Sequence, residues 1–464
     1  MSESTSRAFP YLPHTDADRQ AMLKSVGVRA FEELVEQIPK EVRAKDLEIP
    51  SGLSELELKE YVASLAAKNK PASKQKCFLG GGSYRRFVPA AVSAIVGRSE
   101  FATAYTPYQP EVSQGSLQAI YEFQTAVCLL TGMEVANASM YDGPSACAEA
   151  ALMAARLTGR NKILLSDSVN PEYRLVTTTY AQSCALALER LSAGAGVTET
   201  LAADSDCAAV IVQHPNYFGC LEDLGAIAEL AHKHGCLLIV VTDPIALGLL
   251  APPGDFGADI VVGDAQPCGN FLSFGGPSAG YMSTRQQFVR QLPGRLSGMT
   301  VDNRGQRAFT LTLQTREQHI RRAKATSNIC TNQALNALTM LVYLTLVGPQ
   351  GLREVAEISV RRAHHLAEKL AAIDGVKLRF ASPYFSEFVI DTPLPASAVL
   401  EELAARNILG GLTLDRFYPE LKSSILVSVT ELNSPAELDE YGKALGEIVA
   451  KQRSSSSACV SVGA

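Results

Sequence analysis

Short apolar runs alternate with helix-like segments from about residue 77 to about residue 330, and this alternation most restricts the folds open to the chain. Each run is rich in Val, Ile and Leu and ends at polar, Gly or Pro residues. The clearest runs lie in KILLSDS, CAAVIVQHP, CLLIVVTDP and ADIVVGD. Continuously apolar strands joined through helices predict an α/β fold with a mostly parallel sheet that is covered on both faces. Ligands of such sheets bind beyond the carboxyl ends of the strands, so the residues after each run are candidates for a site.

The segments on either side of this region have other patterns. The N-terminal segment contains three helical patterns, capped at Thr15 or Asp16 for the first and at Ser54 for the third, with the second stopped by Pro39. It is too small for a core of its own, so we expect it to cover another part of the molecule or a partner subunit. The predicted parts are a helical N-terminal arm, a large domain, a small α+β domain and a flexible tail, at residues 1–70, 71–330, 331–453 and 454–464.

Composition excludes several classes of function. The net charge is −6 and no stripe of Lys and Arg is present, which argues against a nucleic-acid partner. No apolar run reaches the ~18 residues that a membrane span needs, and the N-terminus lacks the pattern of a signal peptide, so we expect a cytoplasmic protein without a membrane partner. The ten cysteines include no CxxC pair, and the histidines show no ligand spacing, so we expect no metal site.

An aspartate and a glycine-rich turn follow two successive apolar runs. Asp243 closes LLIVVTD, and the turn SFGGP comes after the next run. This order resembles fold-type I pyridoxal-phosphate enzymes, in which an Asp pairs with the protonated ring nitrogen and a lysine one strand later forms the Schiff base. The lysine would fall near Gln266 or Pro267, but the chain has no lysine between Lys233 and Lys324. The resemblance therefore implies the fold without the covalent anchor of the cofactor.

Longer stretches carry a more specific resemblance. The stretches are FVPAAV, ATAYTPYQPEVSQGSLQAIYEFQTAVCLLTGMEVANASMYDG, VVGDAQPCG, FGGPSAGYM and RRAKATSNICTNQAL. They closely resemble the glycine cleavage system P-protein, a family of pyridoxal-phosphate glycine decarboxylases, and the likeness covers nearly the whole chain. Members of that family are one long chain or two homologous subunits, and only subunit 2 of the split form carries the lysine. This chain resembles the lysine-free subunit 1.

The resemblance implies an enzyme, glycine dehydrogenase (decarboxylating), in which this chain needs its lysine-bearing partner. Two copies of each subunit are expected to form an α2β2 assembly with the working site at their interface. Glycine would lose CO2 on pyridoxal phosphate held by subunit 2, and its aminomethyl group would pass to the lipoyl arm of H-protein. No cofactor is expected to be bound covalently to this chain, which would contribute walls to the site.

The loop YTPYQPE is the first candidate for those walls. Its candidate residues are Tyr105, Thr106, Tyr108, Gln109 and Glu111. The proline at its centre predicts an extended, rigid loop that presents hydroxyls and an amide beside an aromatic wall. The alternative is that the tyrosines only anchor a subunit contact.

The stretch LGGGSYRRFVP is the second candidate, with Gly82, Tyr84 and Arg85. Successive glycines let a backbone approach a ligand closely, and the two arginines of this stretch are suited to pair with an anion. A tight turn with solvated arginines explains the same residues equally well.

Three further positions correspond to the cofactor site of active relatives. Ser145 and Ala146 lie at a predicted helix start of the kind that cradles a phosphate, and Asp243 stands at the ring-nitrogen position. Without the lysine we expect all three to be vestigial and structural. Two other functions stay open: a structural or regulatory pseudoenzyme, and an independent pyridoxal-phosphate enzyme with an unforeseen lysine. The sequence around the cysteines singles out none as a nucleophile.

Overall fold

The computed structural model describes residues 13–43, 50, 52–199 and 205–460, with side chains described up to residue 451. The chain separates into two compact units, residues 1–69 and 70–464. The α-helices are α1 (Asp16–Val26), α2 (Phe31–Leu34), α3 (Glu55–Ala66), α4 (Ala90–Val96), α5 (Ser99–Ala102), α6 (Gln114–Thr131), α7 (Gly143–Thr158), α8 (Pro171–Ser183), α9 (Leu224–Lys233), α10 (Gln318–Arg321), α11 (Ala334–Ala371), α12 (Ala396–Ala405) and α13 (Pro435–Val460). The strands are β1 (Lys76–Cys77), β2 (Val135–Ala136), β3 (Lys162–Ser166), β4 (Ala187–Leu191), β5 (Cys207–His214), β6 (Leu237–Thr242), β7 (Ile260–Asp264), β8 (Gly280–Thr284), β9 (Leu296–Val301), β10 (Arg307–Thr312), β11 (Lys377–Leu378), β12 (Glu387–Asp391), β13 (Ile408–Leu409), β14 (Leu412–Thr413) and β15 (Ser424–Ser428).

The first unit, called the arm below, holds the helices α1 to α3. Thr15 and Ser54 form capping boxes at α1 and α3, which confirms the predicted caps. The second helix was predicted to reach Pro39, but α2 ends at Leu34, because no side chain caps its N-terminus and four residues close little more than one turn. No described residue of the arm is buried.

A seven-stranded sheet forms the centre of the second unit. Its strand order is β2-β8-β7-β6-β5-β3-β4, in which β7, β6, β5, β3 and β4 run parallel and β8 is antiparallel to its neighbours β7 and β2. The strands β5 and β6 are buried almost throughout because helices cover both faces of the sheet. The predicted α/β fold is therefore confirmed.

A smaller antiparallel sheet, in the order β11-β12-β15-β14, lies in the C-terminal part of the second unit. The long helix α11 packs on the cores beside both sheets, and it is broken at Gly348, whose φ of 62° is left-handed, with Pro349 next. The sequence GPQG predicted this break. By length and composition alone α11 could cross a membrane, but residues such as Met340 and Tyr343 are buried in the core of the protein.

The two ends of the second unit depart from the predicted domain borders. The strand β1 pairs in parallel with β13, so residues 76 and 77 lie beside the C-terminal part of the chain. The predicted border near residue 330 lies just before α11, which contributes to both cores. A tail was predicted from residue 454, but α13 continues to Val460 because no Gly or Pro interrupts it. Residues 461–464 of the predicted tail lie outside the described residues.

Candidate functional site

Gln266 stands where the resemblance places the Schiff-base lysine. It follows β7 in a buried turn, and its side chain belongs to a residue that is only 6% exposed. Its Oε1 accepts a hydrogen bond from the Tyr84 backbone N–H at 2.8 Å, and its Nε2 donates to the Tyr84 carbonyl at 2.9 Å and to the Asn270 carbonyl at 3.0 Å. The neighbouring Pro267 is buried as well. Gln266, at the expected lysine position, thus holds the segment around Tyr84 by hydrogen bonds to its backbone.

The start of α7 is already supplied with acceptors from its own chain. The N–H of Gly143 donates to Asp264 Oδ2 at 2.9 Å, and the N–H of Ser145 donates to the N-cap Asp142 Oδ1 at 2.7 Å. The N–H of Ala146 donates to the Asp142 carbonyl at 3.1 Å, and the remaining residue of this turn is a proline without an N–H. No backbone donor of the first turn is therefore left for a phosphate.

Asp264 takes the place of an anion at this helix start. It closes β7 and also accepts hydrogen bonds from the Gln266 N–H at 2.8 Å and from the Ser278 hydroxyl. Burial raises the pKa of Asp264, while these donors lower it. A Cβ at Gly143 would lie 1.9 Å from the hydroxyl of Tyr173, so only glycine fits beside this carboxylate.

Asp243 follows β6 and shares its surroundings with a cation of the same chain. Its Oδ1 accepts a hydrogen bond from the Ile245 N–H at 2.9 Å. Burial raises the pKa of Asp243, and the Arg86 guanidinium is the largest of the influences that lower it. Arg86 is itself paired with Glu431 at 2.7 Å, with side chains 2% and 9% exposed. The charge of the buried Arg86 therefore acts on the aspartate that stands at the ring-nitrogen position.

Glu387 holds the glycine-rich segment from the other side. It lies on β12, and its carboxylate accepts hydrogen bonds from the Gly81 N–H at 2.7 Å and from the Tyr84 hydroxyl at 2.8 Å. Burial raises the pKa of Glu387 to about 7. Gly82 has a left-handed φ of 110°, and an added Cβ there would meet Asn170 Nδ2 at 2.6 Å.

The glycine-rich segment is therefore packed inward and is not a solvated turn. Arg85 lies 3.5 Å from the Gln75 carbonyl, and Arg86 is committed to Glu431 in the interior. A pyridoxal phosphate held by this chain would need a lysine and free amides at a helix start. The residues present supply neither, so they do not fit a cofactor held by this chain.

The loop of residues 105–111 lies between α5 and α6 at the surface. Tyr105 is 91% exposed, Gln109 and Glu111 are also exposed, and Thr106 is partly buried. The Tyr108 N–H donates to the Thr106 carbonyl at 2.9 Å, so the loop turns tightly at its proline and is less extended than predicted. The exposed side chains face outward without a partner in the described part of the chain.

The buried Arg295 binds this loop from the protein interior, and the sequence did not predict this role. Its Nη2 donates to the Tyr108 hydroxyl at 3.2 Å and to the Cys330 carbonyl at 2.7 Å, and its Nη1 donates to Asn332 Oδ1 at 3.3 Å. The buried Glu317 balances its charge at 3.7 Å. Arg295 precedes β9 in the stretch LPGRLSG, which carries no sequence signal for such a role.

A cavity of about 270 Å³ opens beside the loop. Its walls include Phe101, Tyr105, Thr106, Ile120, Phe123 and Arg295. No hydrogen bond among residues 70–199 and 205–451 joins this loop to the glycine-rich segment, so the two predicted candidates belong to different parts of the structure.

In the described part of the chain, no group of three or more His, Cys, Asp and Glu side chains is arranged to hold a metal. Burial raises the pKa of Cys220 to about 12 and also raises that of Cys268, which is the opposite of what a nucleophile needs.

Comparisons with known proteins show the family of the chain. Residues 10–445 match the family described as "Glycine cleavage system P-protein". The chain is 52% identical over 446 residues to the "Probable glycine dehydrogenase (decarboxylating) subunit 1" of Chlorobium luteolum, which covers 95% of this chain and 100% of that protein. The protein of the same name from Desulforamulus reducens is 50% identical over 443 residues, covering 94% of this chain and 99% of that one.

Solved structures give the same result. A crystal structure of glycine decarboxylase (P-protein) of the glycine cleavage system, in inhibitor-bound form, has a TM-score of 0.89 at 46% identity and covers 95% of this chain and 100% of its own. The sphingosine-1-phosphate lyase of Burkholderia pseudomallei has a TM-score of 0.63 at 15% identity, covers 91% of this chain and 98% of its own, and shows the fold alone. The predicted fold-type I class is confirmed.

Proposed function

The chain belongs to the glycine cleavage system P-protein family, and we propose that it completes the active site of a lysine-bearing partner without holding the cofactor itself. Its relatives are named as subunit 1 of glycine dehydrogenase (decarboxylating), so the chain is one subunit of an enzyme complex. A structural or regulatory pseudoenzyme, which the sequence left open, is not favoured by these relatives.

One observation carries the proposal: the groups that would bind the cofactor are bonded to other groups of the same chain. Gln266 pairs with the backbone of Tyr84, and Asp264 and Asp142 accept from the first turn of α7. Undoing these contacts would leave buried donors and acceptors without partners, which costs about 1–3 kcal/mol for each group. Pyridoxal phosphate, which the family uses, is therefore assigned to the homologous partner subunit.

The loop of residues 105–111 is the part of this chain that we assign to the partner's active site. It places the Tyr105 hydroxyl, the Gln109 amide and the Glu111 carboxylate at the surface, while Arg295 holds Tyr108 from the inside. These groups would orient glycine and exclude water at the interface, while the partner's cofactor supplies the electron sink for decarboxylation. We further propose an α2β2 assembly and transfer of the aminomethyl group to the lipoyl arm of H-protein, as the family resemblance implies.

Reconstitution tests the proposal. The chain alone is expected to show no glycine-dependent CO2 exchange and no Schiff base with pyridoxal phosphate, and activity is expected on mixing it with the lysine-bearing subunit and H-protein. Tyr108→Phe and Gln109→Ala are expected to lower the reconstituted rate without weakening the subunit complex. Unchanged rates in both variants would remove the loop from the site, and a covalent cofactor on the wild-type chain would overturn the assignment to the partner.

A further inference from the structure

The cavity of about 270 Å³ beside the loop of residues 105–111 has walls from this chain alone and no group of the chain inside it. The walls come from the loop and the residues before it, from α6, from Arg295 and from residues 331–338 around the start of α11. Its volume is just below the ~300 Å³ at which pockets for drug-sized ligands begin. The cavity therefore has room for a compact organic group, and glycine alone would leave most of it empty.

Apolar side chains form most of the walls. The helix α6 contributes Ala119, Ile120 and Phe123, and the start of α11 contributes Leu335 and Leu338. Ile120, Phe123 and Leu338 are buried, so the core holds this part of the wall in place. A wall of this kind favours an apolar ligand, because apolar surface that leaves water stabilises the complex.

The cavity offers little to a charged ligand. None of the described residues that line it is Asp or Glu, so an ammonium group would find no carboxylate there. Arg295 is the one cation among them, and the buried Glu317 balances its charge at 3.7 Å. Its Nη1 and Nη2 already donate to other groups of the chain. Because burying a charge without a partner is costly, zwitterionic glycine is not the occupant that these walls select.

Three polar side chains at the cavity are available to a ligand. The Thr106 hydroxyl, the Ser116 hydroxyl and the Gln333 side-chain amide line the cavity and are partly buried. Within the residues that the structure describes, none of these three groups has a hydrogen-bond partner. Hydroxyls and an amide both donate and accept, so they suit a neutral polar group such as an amide.

We propose that this cavity binds a neutral apolar chain that carries an amide, and that in the complex this chain is the lipoyl group of H-protein. The inference rests on the proposed function. A lipoyl group joins a dithiolane ring and an alkyl chain to its carrier protein through an amide, which matches the apolar walls and the three free polar side chains. Tyr105 and Thr106 belong to the walls, so a lipoyl group bound here lies against the loop that we assign to the partner's active site. Holding it there keeps the dithiolane close to the place of aminomethyl transfer.

Free lipoamide is the probe, and its binding to the full chain is measured by saturation-transfer NMR. Ala119→Leu fills the cavity, and Ala126→Leu is its control, because Ala126 is partly buried on the same face of α6 but outside the cavity walls. Leu335→Asp places a charge in the wall at an exposed position, and Leu346→Asp does so on the same helix away from the cavity. We expect the dissociation constant to rise at least tenfold in both cavity variants and to change less than twofold in both controls.

The reconstituted enzyme gives a second readout. Ala119→Leu is expected to raise KM for lipoylated H-protein at least fivefold, while kcat at saturating H-protein and KM for glycine stay within twofold of the wild type. This split follows because the filled cavity weakens binding of the lipoyl group and leaves glycine and the partner's cofactor untouched. An equal loss of kcat and an unchanged KM for H-protein would contradict the assignment.

Three results of the binding experiment would overturn the inference. The first is a wild-type chain that does not bind lipoamide up to its limit of solubility. The second is a dissociation constant that neither cavity variant changes. The third is displacement of lipoamide by glycine, because the cavity would then serve the amino acid. If the chain binds lipoamide as expected but forms no active enzyme with the lysine-bearing subunit and H-protein, the proposed function fails while the binding site stands.

Discussion

Gln266→Met most directly perturbs the expected lysine position, where Gln266 pairs with the Tyr84 backbone. Methionine has nearly the same size as glutamine but no amide. The Tyr84 N–H and the Tyr84 carbonyl therefore lose their partner, and the Asn270 carbonyl loses the hydrogen bond from Gln266 Nε2. Each buried group left unpaired costs about 1–3 kcal/mol. We therefore expect the free energy of unfolding to fall by about 2–6 kcal/mol for the two Tyr84 groups together.

Thermal unfolding of the isolated chain measures this loss. With an unfolding entropy of about 2 cal/mol/K per residue, the Tm of a unit of this length changes by about 1 °C per kcal/mol, so Tm should fall by roughly 2–6 °C. Gln287→Met, at an exposed glutamine, is the matched control and should leave Tm within about half a degree. Equal Tm values for both variants would show that the amide pairing does not hold the segment.

Gln266→Lys tests whether the missing amine alone prevents the chain from binding pyridoxal phosphate covalently, or whether the occupied first turn of α7 also prevents it. The amine is restored, but the first turn of α7 is still occupied by Asp264 and Asp142, so we expect no covalent capture of pyridoxal phosphate. Borohydride reduction followed by mass spectrometry detects any Schiff base on the chain. A reduced adduct at residue 266 at stoichiometric cofactor would refute the reasoning, because the lysine alone would then be sufficient.

Two further predictions concern the loop and the buried carboxylate. Arg295→Lys keeps the charge beside Glu317 but cannot supply all the hydrogen bonds to Tyr108 and its neighbours, so we expect kcat of the reconstituted enzyme to fall about tenfold. The control is Arg285→Lys, because Arg285 also donates to backbone carbonyls. This control should change stability alone. A loss of rate that is equal in both variants would remove the positioning role. Because the pKa of Glu387 is raised to about 7 from 4.5, its contribution to stability is complete below pH 4.5 and is lost as pH rises toward 7. Glu387→Gln should therefore gain stability relative to the wild type by up to about 3 kcal/mol between pH 4.5 and pH 8, and a constant difference in denaturant titrations across that range would contradict the raised pKa.

Local features were predictable from the sequence, and long-range pairings were not. The strands β5, β6 and β7, the caps Thr15 and Ser54, and the break at Gly348 all depend on neighbouring residues, which a single sequence displays. The contacts at the expected lysine position, in contrast, join distant parts of the chain. Gln266 is 182 positions from its partner Tyr84, and Tyr84 is 303 positions from its partner Glu387. No local pattern encodes such distances.

The same limit explains what was misread in the candidate site. The two arginines of the glycine-rich segment looked equally suited to an anion or to solvent, because the partner of Arg86 is Glu431, 345 positions away. Arg295 has no neighbouring motif at all, and its role follows only from the bonds to Tyr108 and to the segment before α11. The missing lysine, in contrast, could be read from the sequence because it concerns one position in a recognisable block.

The occupied cofactor position also bears on protein engineering. Gln266 pairs with the Tyr84 backbone, and Asp264 accepts a hydrogen bond from the Gly143 N–H, in two separate contacts of the interior. Replacing either residue alone leaves the contact of the other in place. A variant of this chain that is meant to hold pyridoxal phosphate itself would therefore need both positions redesigned together.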